Sequence, residues 1–152
     1  MHDASVFRMY QVEAARIEAD RGVIRHVVLG DDLKRQCYAA TRDAGRSPAD
    51  RQAAVVEAAT RLELPVVAGH VEFPDLRLEY DTSAGDRTRV DLELVTDAYR
   101  PGQIAAKQAA GFTLYSAGGS SVHGIASLGG QTGLSPRSGL SHDRVLSSLL
   151  SL

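Results

Sequence analysis

Asp75, Asp91, Glu93 and Lys107 are the residues whose types and spacing can do chemistry in this chain. A hard divalent ion such as Mg²⁺ or Mn²⁺ takes oxygen ligands and often needs only one or two carboxylates, water completing its shell. A lysine beside such a group would steady an attacked phosphate. The chemistry that fits the set is metal-assisted hydrolysis of a phosphodiester bond.

The elements that must position these residues are legible in the alternation of the sequence around them. Leu76, Leu78 and Tyr80 share one face of a strand, and Asp75, Arg77 and Glu79 share the other. Val90, Leu92 and Leu94 share one face of the next strand, opposite Arg89, Asp91 and Glu93. The polar turn Ser83-Ala84-Gly85-Asp86 folds one strand back on the other. Matching the apolar faces puts Leu76 opposite Leu92 and Leu78 opposite Val90. Arg77 then meets Asp91 and Glu79 meets Arg89 as ion pairs, while Asp75 meets Glu93. Two carboxylates in that relation repel, unless one is protonated or a cation holds both charged. A helix follows, with Pro101 near its start and Gln103 and Lys107 four residues apart on one side. Lys107 is expected to point over the end of the sheet that carries the acids, with Gln103 as a secondary candidate beside it.

Pro74-Asp75 followed by Asp91-Leu92-Glu93 resembles the core motif of the PD-(D/E)XK nuclease superfamily. VDLELVT (90–96), with a following helix that carries Lys107, most resembles the nuclease-like domain of plasmid replication-relaxation proteins. The resemblance covers roughly residues 64–116, and its motif is short. It implies a restriction-endonuclease-like core of order αβββαβ, an α/β fold (α+β mixed sheet), and Mg²⁺ or Mn²⁺ held by Asp75, Asp91 and Glu93. It also implies DNA as the partner, and an acid on the first helix near the metal, which makes Glu13 a secondary candidate. One departure matters. The position two after Glu93 is Val95, and the position two after Asp91 is Glu93, so the motif lysine is missing from its usual place. Two readings follow: a Mg-dependent endonuclease with Lys107 as a relocated lysine, or a catalytically inactive module that binds DNA or protein in a mobile-element or replication complex. A third makes the acids an ordinary solvated sheet face.

A chain of 152 residues suggests one domain that can bury a core without disulfides. Its single cysteine, Cys37, has no intramolecular partner and reads as a small hydrophobe in a reducing compartment. No apolar run reaches membrane-spanning length and no signal-peptide pattern opens the chain, so the expectation is cytoplasmic, with no membrane partner. Residues 64–116 carry eight acids against five bases, and no segment has the basic run of a strong DNA binder. An acid excess on the core is what a metal would neutralise.

Residues 5–20 read as a helix capped by Asp3 or Ser5, with Val6, Met9, Tyr10 and Ile17 as its apolar face and Glu13 in the middle of it. The simplest role for Glu13 is pairing with a neighbouring arginine. VIRHVVL (23–29) reads as a strand with His26 on its surface. Residues 31–62 read as an inserted helical pair: Leu33, Cys37, Ala40 and Ala44 stripe the first helix, and Ser47-Pro48-Ala49-Asp50 caps the second. Lys34, Arg35, Arg42 and Arg46 form the nearest thing to a basic patch, interleaved with acids. Gly69-His70 reads as a turn before the acid-bearing hairpin, with His70 a weak secondary candidate, and FTLYS (112–116) as a returning strand. The nuclease-like domain that the resemblance implies would span 1–116. Residues 117–140 read as a Gly/Ser-rich flexible linker, and 141–152 as a short C-terminal helix. The leucines of that helix call for a docking place, on this core, in a homodimer or on a partner protein.

Overall fold

The computed structural model describes residues 2–45 and 47–117. Helix α1 (His2–Ala19) leads into strand β1 (Val23–Leu29), then helices α2 (Gly30–Ala39) and α3 (Pro48–Arg61). A small ribbon follows, β2 (Val66–Val67) and β3 (His70–Val71), and then the hairpin β4 (Leu76–Asp81) and β5 (Arg87–Val95). Helix α4 (Pro101–Ala109) and strand β6 (Thr113–Ser116) complete the described chain. It is a mixed α/β fold. The main sheet has the order β1-β4-β5-β6. β1 with β4 and β4 with β5 are antiparallel, and β5 with β6 is parallel. β2 and β3 pair only with each other and stand apart from the main sheet.

The hairpin has the register that its alternation predicts: Leu76 opposite Leu92, Arg77 opposite Asp91, Leu78 opposite Val90 and Glu79 opposite Arg89. Gly85 sits in the turn at φ +88°, and the turn closes through the Thr82 N–H on the Asp86 carbonyl at 2.8 Å. The apolar face, with Leu76, Leu78, Leu92 and Leu94, lies under Met9 and Ile17 of α1 and beside Tyr115 of β6. Helix α1 begins at His2 rather than at residue 5, and its apolar stripe is as expected.

The second face of the sheet is where the sequence is least informative. Alternation marks it as polar, yet Arg77 and Glu93 are buried. The inserted pair α2–α3 supplies the cover, with a core of Leu33, Cys37, Ala58, Ala59 and Leu64 against which Val28 and Phe73 pack. Ser47 caps α3 by accepting from the Asp50 N–H at 3.0 Å, as its motif predicts. At the other end of α3, Arg77 donates to the carbonyls of Leu62 (2.6 Å) and Glu63 (3.3 Å). Those carbonyls are orphaned where the helix stops, so a buried guanidinium fastens the helix end to the sheet. Arg89 lies opposite Glu79, but its guanidinium pairs with Glu63 instead. The linker and C-terminal helix expected at 117–140 and 141–152 lie outside the described residues, apart from Ala117.

Candidate functional site

Pro74-Asp75 reaches its place through a close approach of backbones. Gly30 opens α2 with its N–H on the Asp75 carbonyl at 2.9 Å. A Cβ at Gly30 would stand 1.9 Å from the Pro74 carbonyl oxygen, so only glycine lets the two segments meet. The paired ladder of β4 and β5 begins at Leu76–Leu92, one residue short of the Asp75–Glu93 pair that the sequence register suggests. The reason is local. Asp75 gives its N–H to the Leu92 carbonyl (3.0 Å) and takes the Leu94 N–H on its own Oδ2 (2.9 Å), so its side chain stands in for a ladder bond. Its charge still reaches Glu93.

Glu93 is 2% exposed. Its Oε1 accepts the phenol O–H of Tyr99 at 2.5 Å and lies 3.2 Å from Lys107 Nζ. Its Oε2 is buried with no hydrogen-bond partner among the described residues. Burial, reinforced by the charge of Asp75, pushes the Glu93 carboxyl above its ordinary range, against the pull of Tyr99 and Lys107. Burial and the carboxylate it touches likewise push the Tyr99 phenol well up, so it stays a donor.

Lys107 does project from α4 to this end of the sheet. Its Nζ donates to the Phe73 carbonyl at 2.6 Å, lies 3.3 Å from Glu72 Oε2 and stands 5.2 Å above the Phe112 ring. Glu72, Asp75, Glu93, Tyr99 and Lys107 are therefore one network. No protein family, curated protein or solved structure matches this chain.

The structure divides the sequence candidates. Asp75, Glu93 and Lys107 come together. Asp91 is held by Arg77 through both carboxylate oxygens, at 2.7 and 3.0 Å, as the register predicts for an ion pair. Glu13 is buried and bonded to Arg16 and to the Tyr115 hydroxyl. Tyr115 shares the α1-covered core with Leu94, so Glu13 lies across the sheet from Glu93. Gln103 spends its amide oxygen on the Arg100 N–H at 2.9 Å, at the start of α4. His70 is exposed on the β2–β3 ribbon. Lys34 and Arg35 pair with Asp31 and Asp32, which gives the basic patch the character of a solvated face, while Arg46 lies outside the described residues. Sequence reasoning missed Glu72 and Tyr99. Glu72 sits outside both hairpin strands, two residues before Pro74. Tyr99 follows Glu93 by six residues in a turn, a spacing with no periodic signal.

Proposed function

We propose that this chain is a metal-dependent nuclease that hydrolyses phosphodiester bonds in DNA. The observation that carries the proposal is the convergence of Asp75, Glu93 and Lys107 from three different elements at one end of the sheet. The order α1, β1, β4, β5, α4, β6 also follows αβββαβ with α2 to β3 inserted, which supports a restriction-endonuclease-like core.

The residues present fit Mg²⁺ or Mn²⁺. An oxygen of Glu93 is buried without a partner beside a second carboxylate, a costly arrangement that a cation would relieve. Asp75 and Glu93 would hold the ion, with water and substrate oxygens completing its shell; among the described residues no three acid, histidine or cysteine side chains are grouped so that they alone could hold a metal. Asp91 stays with Arg77. When bound, the ion supplies Lewis acidity at the phosphate. Lys107 keeps a positive charge at the same place, Tyr99 fixes the Glu93 carboxylate by hydrogen bond, and the Asp75–Leu94 bond fixes Asp75 on the strand.

One observation favours the inactive-module reading. Lys107 already meets two carboxylates and a carbonyl, so part of the acid charge is offset without a metal. Calorimetric titration of Mg²⁺ and Mn²⁺ into the wild type and Asp75→Asn separates the two. The nuclease reading expects saturable binding that Asp75→Asn weakens at least tenfold. A wild type that binds neither ion, with or without DNA, removes that reading and leaves the module.

A further inference from the structure

We propose that residues 141–152 of this chain dock into the groove between α1 and β1, at the end of the sheet where the acid network lies. The groove has a volume near 670 Å³ and is walled by Val6, Phe7, Tyr10, Val27 and Leu29. It is the uncovered continuation of the main core. Val27 pairs with Leu78 and Leu29 with Leu76, so all four share one face of the sheet. The β4 residues are buried under α1, whereas Val27 is 48% and Leu29 52% exposed, facing an equally bare Phe7 at 57%. An apolar trough of this kind, rimmed by charges, is what a partner helix occupies.

The occupant follows from where the chain goes. β1 runs antiparallel to β4, β4 antiparallel to β5 and β5 parallel to β6, so β1 and β6 run the same way. The chain therefore leaves β6 at Ser116 toward the same end of the sheet as Leu29 and the groove. Three strand spacings separate the two edges, roughly 14 Å. The stretch 118–140, rich in Gly and Ser, has a typical span of about 26 Å as a random coil, enough to cross the end of the sheet. Beyond it, Val145, Leu146, Leu149, Leu150 and Leu152 recur at helical spacing, with Ser147, Ser148 and Ser151 between them. As a helix, that pattern would present one apolar face.

Charge agrees. The groove rim carries Asp3, Asp31 and Asp75 against Lys34, while the segment from 118 onward carries Arg137 and Arg144 against Asp143. A tether of this length also gives the segment an effective concentration on the order of millimolar at its own groove, which outcompetes a second copy at micromolar protein. Because Asp75 lines the groove, a docked segment lies beside the acid network, whatever that network does.

The test uses the full chain with Ser148→Cys carrying a nitroxide, the buried Cys37 being out of reach of the reagent. Methyl signals of Val6, Val27 and Leu29 are expected to broaden selectively, while those of Leu62 and Leu64 in the other core stay sharp. The same label on a Leu146→Asp/Leu149→Asp chain is expected to give no selective broadening. Broadening that is absent from the groove, or that persists in the Asp variant, overturns the proposal. So does broadening of an unlabelled, isotope-enriched chain mixed with the spin-labelled one, because the occupant is then a second copy.

Discussion

Replacing Arg77 by Met removes a cation from a place where little else can compensate for it. Its side chain is 4% exposed and that of Asp91 11%. The guanidinium serves both oxygens of Asp91 and the carbonyls of Leu62 and Glu63 at the end of α3. Breaking a buried pair from one side strands the other charge, at about 3–5 kcal/mol. A domain of this size holds about 5–15 kcal/mol in all, so the loss is a large share. At about 2–4 °C per kcal/mol, the melting temperature should fall by roughly 6–20 °C. Changing Asp91 to Leu as well removes the stranded carboxylate and should restore at least about 2 kcal/mol, since apolar replacement of both partners is often near neutral. Urea unfolding of wild type, both single variants and the double variant closes the cycle. An Arg77→Met variant within about 1 kcal/mol of wild type, or a double variant no better than the single, would refute the reasoning. Asp91 would then be free to serve as a ligand.

Glu93 sets a pH dependence. Its folded carboxyl titrates above the ordinary value of 4.5, chiefly through burial. Between 4.5 and that raised value the folded state binds more protons than the unfolded state, so stability falls as pH rises through the window. Glu93→Gln should flatten this part of the profile, and unfolding midpoints across the window read it directly. Gly30→Ala drives a Cβ into the Pro74 carbonyl and should cost about 1–3 kcal/mol or more, with weaker metal binding because Asp75 is displaced; an unchanged melting curve would contradict the close approach. In an alkaline titration, Tyr99 and Tyr115 should release their protons last, since both are buried against carboxylates; Tyr99→Phe should delete one late phenolate step.

The strands and their register were legible because a period of two with one apolar face leaves little freedom. Leu76, Leu78, Val90 and Leu92 specify the hairpin, and Ser47-Pro48 specifies the start of α3, without any tertiary information. What covers the polar face was not legible. A sequence cannot distinguish an arginine in solvent from Arg77 under the end of α3, because the cover comes from residues 62–63, fifteen positions away and in irregular backbone. The same limit hid Glu72, which pairs with Lys107, and Tyr99, which bonds Glu93, because neither lies in a periodic element. Asp75 stood out through the hairpin's alternation, but its bond to the Leu94 N–H, which breaks the expected pairing with Glu93, is a backbone detail that alternation does not encode. Glu13 shows the converse. Its position in an apolar stripe marked it as unusual, and the cause is a buried tyrosine 102 residues away.

The most direct measurement is cleavage itself. A panel of supercoiled, linear and single-stranded DNA is incubated with the full chain in Mg²⁺, in Mn²⁺ and in chelator, beside Glu93→Gln and Lys107→Ala. The account predicts metal-dependent breaks by the wild type that fall by about 10²-fold or more in each variant, the scale of losing a group that stabilises developing charge. Intact DNA under every condition, or breaks that both variants make equally well, would contradict it.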